Sequence, residues 1–195
     1  MVALVTDGPV MWESRGVTET FTTALIAELA KKTGVCWLRY DEPDAPAGAP
    51  SRRAAWHVWH DDALHLVAGG DEQPLPGLDE VDRVEVTMRS KENGGRLVTW
   101  VGSVTVLRPG DERWDPATAA LVADRLNLDD LATAADGWAE RSVVLRVEPT
   151  GEVLEQPGSL SDTDHAAPPP VTGATTRRGL PRVLHRRQRR RPGLS

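Results

Sequence analysis

The chain contains one cysteine, Cys36, so no internal disulfide can form, and a reducing cytoplasm is the expected compartment. Phe and Tyr occur once each. No run of about 18 apolar residues exists, which argues against a membrane-spanning helix. The opening MVALVTDGPVMWESRG lacks the basic start and long apolar stretch of a secretory signal. No Gly-x-Ser-x-Gly nucleophile elbow occurs. A phosphate-cradling glycine loop is also missing: the two glycines of AGGDEQ run into two acids, which repel phosphate.

What is present is biased. Arg outnumbers Lys by 20 to 3, and Trp occurs seven times among 195 residues, alongside abundant Ala, Gly and Pro. Codon usage of a high-GC bacterial genome accounts for such a bias, so neither Arg nor Trp is functional by abundance alone. The formal charge of -6 joins two populations. Residues 177–191 carry eight Arg and no acid; the remaining 15 basic residues face 29 acidic ones, a charge of -14. The body therefore repels nucleic acid, and weak, salt-dependent polyanion binding is expected only of the tail.

Residues 1–20 show no clear period and read as an irregular extension, with the domain start near Val17. From Phe21, the apolar Phe21, Leu25, Ile26 and Leu29 share a helical face, and Gly34 is expected to end that helix in a left-handed cap. Strands are expected at 35–40, 53–60, 63–68, 82–90, 96–108 and 141–149. Asn93-Gly94 is the strongest turn signal, and Gly102 marks a bend or bulge. A helix over 115–126 takes Asp115 as its cap and Pro116 as its first residue; a short helix follows near 130–137. After Gly151 the apolar signal fades, and residues 151–195 read as a disordered Pro-rich linker and Arg-rich tail. Hairpins in succession with helices inserted favour a mainly β fold, an antiparallel barrel with peripheral helices, over 21–150.

The richest stretch is AWHVWHDDALHLVAGG, residues 55–70. With Asp61-Asp62 as a two-residue turn, His60 faces Ala63, Trp59 faces Leu64, Val58 faces His65, and His57 faces Leu66. Alternation then puts His57, Trp59, Leu64 and Leu66 on one side and Trp56, Val58, His60, His65 and Val67 on the other. Both faces carry large apolar groups, so both need a cover: a helix, a ligand or a second subunit. His57 and His60 point oppositely, and His60 with His65 lacks a third ligand, so no metal is expected. Trp56 and Trp59 read ordinarily as core and functionally as walls for a planar ring. Cys36, inside an apolar strand, reads as a structural thiol.

Residues 21–150 resemble the FMN-binding split β-barrel family, the pyridoxamine 5′-phosphate oxidase-like proteins, closest to its divergent actinobacterial members. GVCWLRY, AWHVWHDDALHLVAGG, PLPGL, DRVEVTMRS and GGRLVTWVGSVTVLR carry the resemblance. It implies a homodimer holding FMN or a deazaflavin in a groove between subunits, with the strands at 53–59 and 64–70 touching the ring. The family's Ser/Thr and Lys/Arg phosphate grip after the second strand is replaced here by Asp71 and Glu72. The residues it nominates for the cofactor are His57, Trp59, Gly69, Gly70 and Gln73, with Arg89 and Lys91 supplying phosphate charge. His57 and Trp59 are then expected to line the groove. The implied function is a flavin- or deazaflavin-dependent oxidoreductase, or cofactor carrier, of small molecules. The alternative is a cofactor-free dimeric binding module.

Overall fold

The computed structural model describes residues 11–43, 52–91, 94–125 and 131–162, with side chains from Thr22 onward. The chain divides into the units Met1–Ser161 and Asp162–Ser195, and every element below lies in the first. Helix α1 (Met11–Lys32) leads into β1 (Val35–Arg39), β2 (Arg52–Trp56), β3 (Val58–His60) and β4 (Ala63–Ala68). A 3-10 turn (Leu78–Glu80) precedes β5 (Arg83–Arg89) and β6 (Arg96–Leu107). Helices α2 (Trp114–Asp124) and α3 (Ala134–Arg141) then lead to β7 (Val143–Glu155).

The seven strands form one antiparallel sheet in the order β2-β1-β5-β6-β7-β4-β3. Its two outer members, β2 and β3, are consecutive in sequence and separated only by His57. The sheet therefore curls until its edges meet at a covalent corner. The single strand expected over 53–60 is two strands that change partner, β2 pairing with β1 and β3 with β4. The expected facing of His57 and Leu66 is not made, because the β3–β4 ladder stops at Val58↔His65. The reason lies in the His57 backbone, whose N–H donates to the Gly34 carbonyl at 3.1 Å.

The hairpin register beyond the corner is as the sequence implies: Val58↔His65, Trp59↔Leu64, His60↔Ala63. Asp61 (φ 46°) and Asp62 (φ 53°) both take the left-handed conformation that a two-residue turn between twisted strands requires. The two faces of β4 divide into two cores. Leu64 and Leu66 join Cys36, Leu38, Val84, Val86, Met88, Trp100 and Leu145 inside the barrel, under Ile26 and Ala30 of α1. Val58 and Val67 join Leu107 and Val144 beneath Trp114, Ala117 and Leu121 of α2 and Trp138 of α3. Each fully buried Leu contributes about 2 kcal/mol of transfer free energy. The second apolar face of the hairpin is thus covered by helices of the same chain.

Several boundaries differ from the sequence reading, and the short helix expected near 130–137 spans Ala134–Arg141. Helix α1 starts at Met11 rather than Phe21. Gly34 is not left-handed; the helix closes instead through Thr33, whose N–H and hydroxyl both donate to the Leu29 carbonyl. Helix α2 begins at Trp114 with Arg113 at its cap, not Asp115, because burying the Trp114 indole sets where the helix meets the sheet. Strand β7 continues through Gly151 to Glu155, carried by pairing with β6 rather than by apolar content. The disorder expected of residues 163–195, and the polyanion-binding tail, lie outside the described residues.

Candidate functional site

The residues nominated by the sequence are each held by neighbours. His57 is buried, and its Nε2 lies 3.3 Å from the Ala30 carbonyl of α1. Burial pushes its pKa down to about 4, partly opposed by the Ala30 and Ala55 carbonyls, so the ring is neutral at pH 7. Trp59 is half-buried against the barrel core. Gln73 grips the backbone of Trp56: its Oε1 accepts from Trp56 N at 2.7 Å and its Nε2 donates to Trp56 O at 2.8 Å.

Gly69 and Gly70 form the turn after β4, both at positive φ. A Cβ on Gly70 would fall 2.6 Å from the Arg141 carbonyl, so only glycine fits there. Glu72, where the resemblance would put a phosphate grip, receives the Trp138 Nε1–H at 2.9 Å on Oε1 and pairs through Oε2 with Arg125 at 2.5 Å. Arg125 in turn lies over the Trp56 ring, 5.1 Å from its centroid. This region is a junction joining β2 and β4 to α2 and α3. As described, these residues fit a structural joint better than a phosphate-bearing cofactor. Lys91 is exposed.

Arg89 belongs to a different constellation, on the outer face of β2-β1-β5-β6. Alternation along VCWLR turns Cys36 and Leu38 into the barrel and Trp37 and Arg39 outward. On β5 it turns Glu85, Thr87 and Arg89 outward. Register aligns them: Trp37 lies between Ala54 and Thr87, and Thr87 faces Thr99. The Arg89 guanidinium stacks on Trp37, 4.2 Å from the ring centroid. Arg52 reaches from β2 to donate to Thr87 Oγ1 at 3.4 Å, and the Thr87 and Thr99 hydroxyls are 3.0 Å apart.

Charge on this face is unevenly neutralised. Arg39 is held by both Glu85 oxygens at 2.8 and 2.9 Å, and Arg96 pairs with Glu155 at 3.1 Å. Among the described residues, Arg52 and Arg89 form no ion pair. They converge on Trp37 and Thr87, which are direct cross-strand partners. Burial lowers the Arg52 pKa, countered by Glu85 and Glu155, yet a guanidinium remains charged. Thr99 donates its hydroxyl to Glu155 at 2.9 Å, so the Thr87 hydroxyl donates to Thr99, and it is the two cations beside the Trp37 ring that fit an anionic group attached to a planar ring. The sequence named Arg89 but missed Trp37, Arg52 and Thr87. Only the long-range pairing of β1 with β5 and β2 brings them together.

No protein-family model matches this sequence, and no curated protein matches it. Solved structures do. HutZ, the heme storage protein from Vibrio cholerae, is similar at a TM-score of 0.50 and 14% identity, over 67% of this chain and 92% of that one. The fold is a split β-barrel. A FAD-binding protein from Mesorhizobium loti is similar at TM-score 0.45 and 16% identity, covering 65% and 87% of the two chains. A Clostridium acetobutylicum protein of the pyridoxinephosphate oxidase family matches at TM-score 0.43 and 13% identity, covering 67% and 84%. At 14% identity the likeness to HutZ concerns the course of the split barrel, so the chemistry of the site rests on the residues above.

Among the described residues of the split barrel, no helix is long and apolar enough to cross a membrane, and no group of three or more His, Cys, Asp or Glu is arranged to hold a metal ion. His60 and His65 approach at 5.8 Å between ring centroids, with Asp61 beside them.

Proposed function

We propose that this split barrel binds FMN or a phosphate-bearing deazaflavin on the outer face of β2-β1-β5-β6 and serves as an oxidoreductase, or carrier, of a small molecule. The observation that carries the reading is the convergence of Arg52 and Arg89, neither of them ion-paired, on Trp37 and Thr87. When bound, a flavin supplies hydride and electron transfer, and the protein supplies position and charge. In this reading Arg52 and Arg89 hold the phosphate, the Thr87 hydroxyl accepts from Arg52 and so positions it, and Trp37 offers an apolar wall. A second copy of the chain laid over the same face completes the groove, which makes the working form a homodimer.

A second reading is a cofactor-free dimeric module. It is favoured by the structural employment of His57, Gln73 and Glu72, which leaves the family's usual positions committed. One titration separates the two. FMN and riboflavin are added to the full chain and binding is followed by quenching of flavin fluorescence. FMN is expected to bind more tightly than riboflavin. Arg52→Ala and Arg89→Ala should each cost about tenfold in FMN affinity and leave riboflavin unchanged, as for loss of a charged hydrogen bond. Equal affinities for the two flavins would remove the phosphate site, and no binding of FMN or of a deazaflavin would favour the cofactor-free module.

A further inference from the structure

The tip of the β3–β4 hairpin is held by one buried arginine. Arg146 of β7 is the direct cross-strand partner of His65 on β4, and the two residues are only 4% and 1% exposed. Arg146 Nη2 donates to the Asp61 carbonyl at 3.0 Å and lies 3.7 Å from the Asp61 carboxylate, while Nη1 pairs with Glu148 of β7. The turn held in this way is strained, since Asp61 and Asp62 both sit at positive φ, a conformation that a Cβ disfavours. A cleft of ≈ 340 Å³ separates the tip from the start of α2, lined by His60, Asp61, His65, Arg113 and Pro116.

The closed tip leaves polar atoms unsatisfied. Nδ1 of His65 and Nε of Arg146 are enclosed without a hydrogen-bond partner, and a buried polar atom left unpaired costs free energy that water would return. Charge gathers at the same point. The bases around His65 are Arg146 on β7, His60 on β3 at 5.8 Å between ring centroids, and Arg113 at the start of α2. The carboxylates are Asp61 in the turn and Glu148 on β7, and both are turned to Arg146. A proton on His65 therefore puts a second buried cation beside Arg146, with no carboxylate of its own among the described residues.

We propose that the Asp61-Asp62 tip is an acid-released latch: protonation of His65 frees the turn from Arg146, widens the cleft against α2 and lets water reach the two enclosed nitrogens. Opening hydrates the new charge and relaxes the turn, and neither change involves the arginine face around Trp37, so the latch does not rest on flavin binding. Its sign follows from the closed state. Burial first, then Arg146 and His60, push His65 from 6.5 down to about 4, against Asp61 and the Ala63 carbonyl. The closed tip is thus favoured in full above pH 6.5 and progressively less as pH falls towards 4.

Hydrogen exchange of the full chain at pH 7.0 and 5.0, corrected for the intrinsic rate and read by mass spectrometry, compares residues 58–67 with β1 and β5. With 6.5 for the open tip and about 4 for the closed one, its opening should rise about twentyfold between the two pH values. Stopping at pH 5.0 stays above the ordinary carboxylate range. The tip should exchange faster than β1 and β5 at both pH values, because it opens without the barrel. His60→Gln should keep the rise and His65→Gln should abolish it. Opening that is unchanged with pH, a tip that exchanges only as fast as β1 and β5, a rise lost in His60→Gln or a rise kept in His65→Gln would each overturn the proposal. Should His65→Gln fail to fold, the wild-type comparison and His60→Gln decide it.

Discussion

Gln73 binds both backbone groups of Trp56, accepting from its N–H at 2.7 Å and donating to its carbonyl at 2.8 Å across 17 residues of chain. It thereby acts as a surrogate strand for the end of β2, one residue before the corner at His57. Gln73→Ala removes both bonds and should cost about 2 kcal/mol, at roughly 1 kcal/mol per bond. Urea unfolding reads this directly. An unchanged midpoint combined with weaker FMN binding would place Gln73 in a ligand site, as the family resemblance implies, rather than in the frame.

Two buried histidines should make the fold acid-sensitive well above the carboxylate range. Burial lowers His57 from 6.5 to about 4, and burial with the nearby charges of Arg146 and His60 lowers His65 to about 4, against Asp61, which pulls it upward. The folded state keeps both rings neutral between those values, whereas the unfolded chain takes up a proton on each below pH 6.5. Their stabilising contribution is therefore complete above pH 6.5 and is lost as pH falls from 6.5 towards 4, by roughly 3 kcal/mol per histidine. Unfolding free energies at pH 7.5 and 4.5 should differ accordingly, and His57→Gln or His65→Gln should flatten the slope. A wild type with no pH dependence across this window would contradict the burial argument.

The hairpin shows why part of the fold was legible. Asp61-Asp62 and strict alternation were enough to set Val58↔His65 and Trp59↔Leu64 and to sort the two faces into two cores. The break at His57 was not legible, because RRAAWHVWH carries no glycine or proline to mark it. The corner is made by the Gly34 and Ala30 carbonyls, which are distant in sequence. Likewise Gly102 was readable as a bulge, since a Cβ there would come within 2.4 Å of Val147, whereas the extension of β7 to Glu155 depends on β6. At the outer face, Arg89 was nominated for its charge. Trp37 and Arg52 needed the order β2-β1-β5 before they became its neighbours.

A homodimer is expected, and the outer face is where it should form. The second apolar face of the hairpin is covered by α2 and α3 and so does not call for a partner subunit. The dimer is expected from the face around Trp37, where Arg52 and Arg89 form no ion pair among the described residues. Light scattering at micromolar concentration should give twice the chain mass of 21.2 kDa, and Trp37→Glu should shift it towards one chain without loss of cooperative melting. A wild-type mass near a single chain would refute the dimer.

The turn at Asp61-Asp62 offers a gain in stability. Both residues hold positive φ, a conformation that costs an L-residue with a Cβ roughly 1 kcal/mol and costs glycine nothing comparable. The two positions are not equivalent. Asp61 is tied to the barrel, its carbonyl accepting from Arg146 Nη2 at 3.0 Å and its carboxylate lying 3.7 Å from the same group. Asp62 is exposed, and no hydrogen bond or ion pair holds its side chain among the described residues. Asp62→Gly therefore relieves the strain without removing a partner and matches the Asp-Gly pattern favoured in such turns. The expected result is a stabilisation of up to about 0.5 kcal/mol, net of the extra freedom glycine gives the unfolded chain. Asp61→Gly keeps the carbonyl but loses the carboxylate beside buried Arg146, so it should gain less. Equal effects at the two positions would mean that the Arg146 contact contributes nothing, and a destabilised Asp62→Gly would mean that the unfolded-state term outweighs the strain.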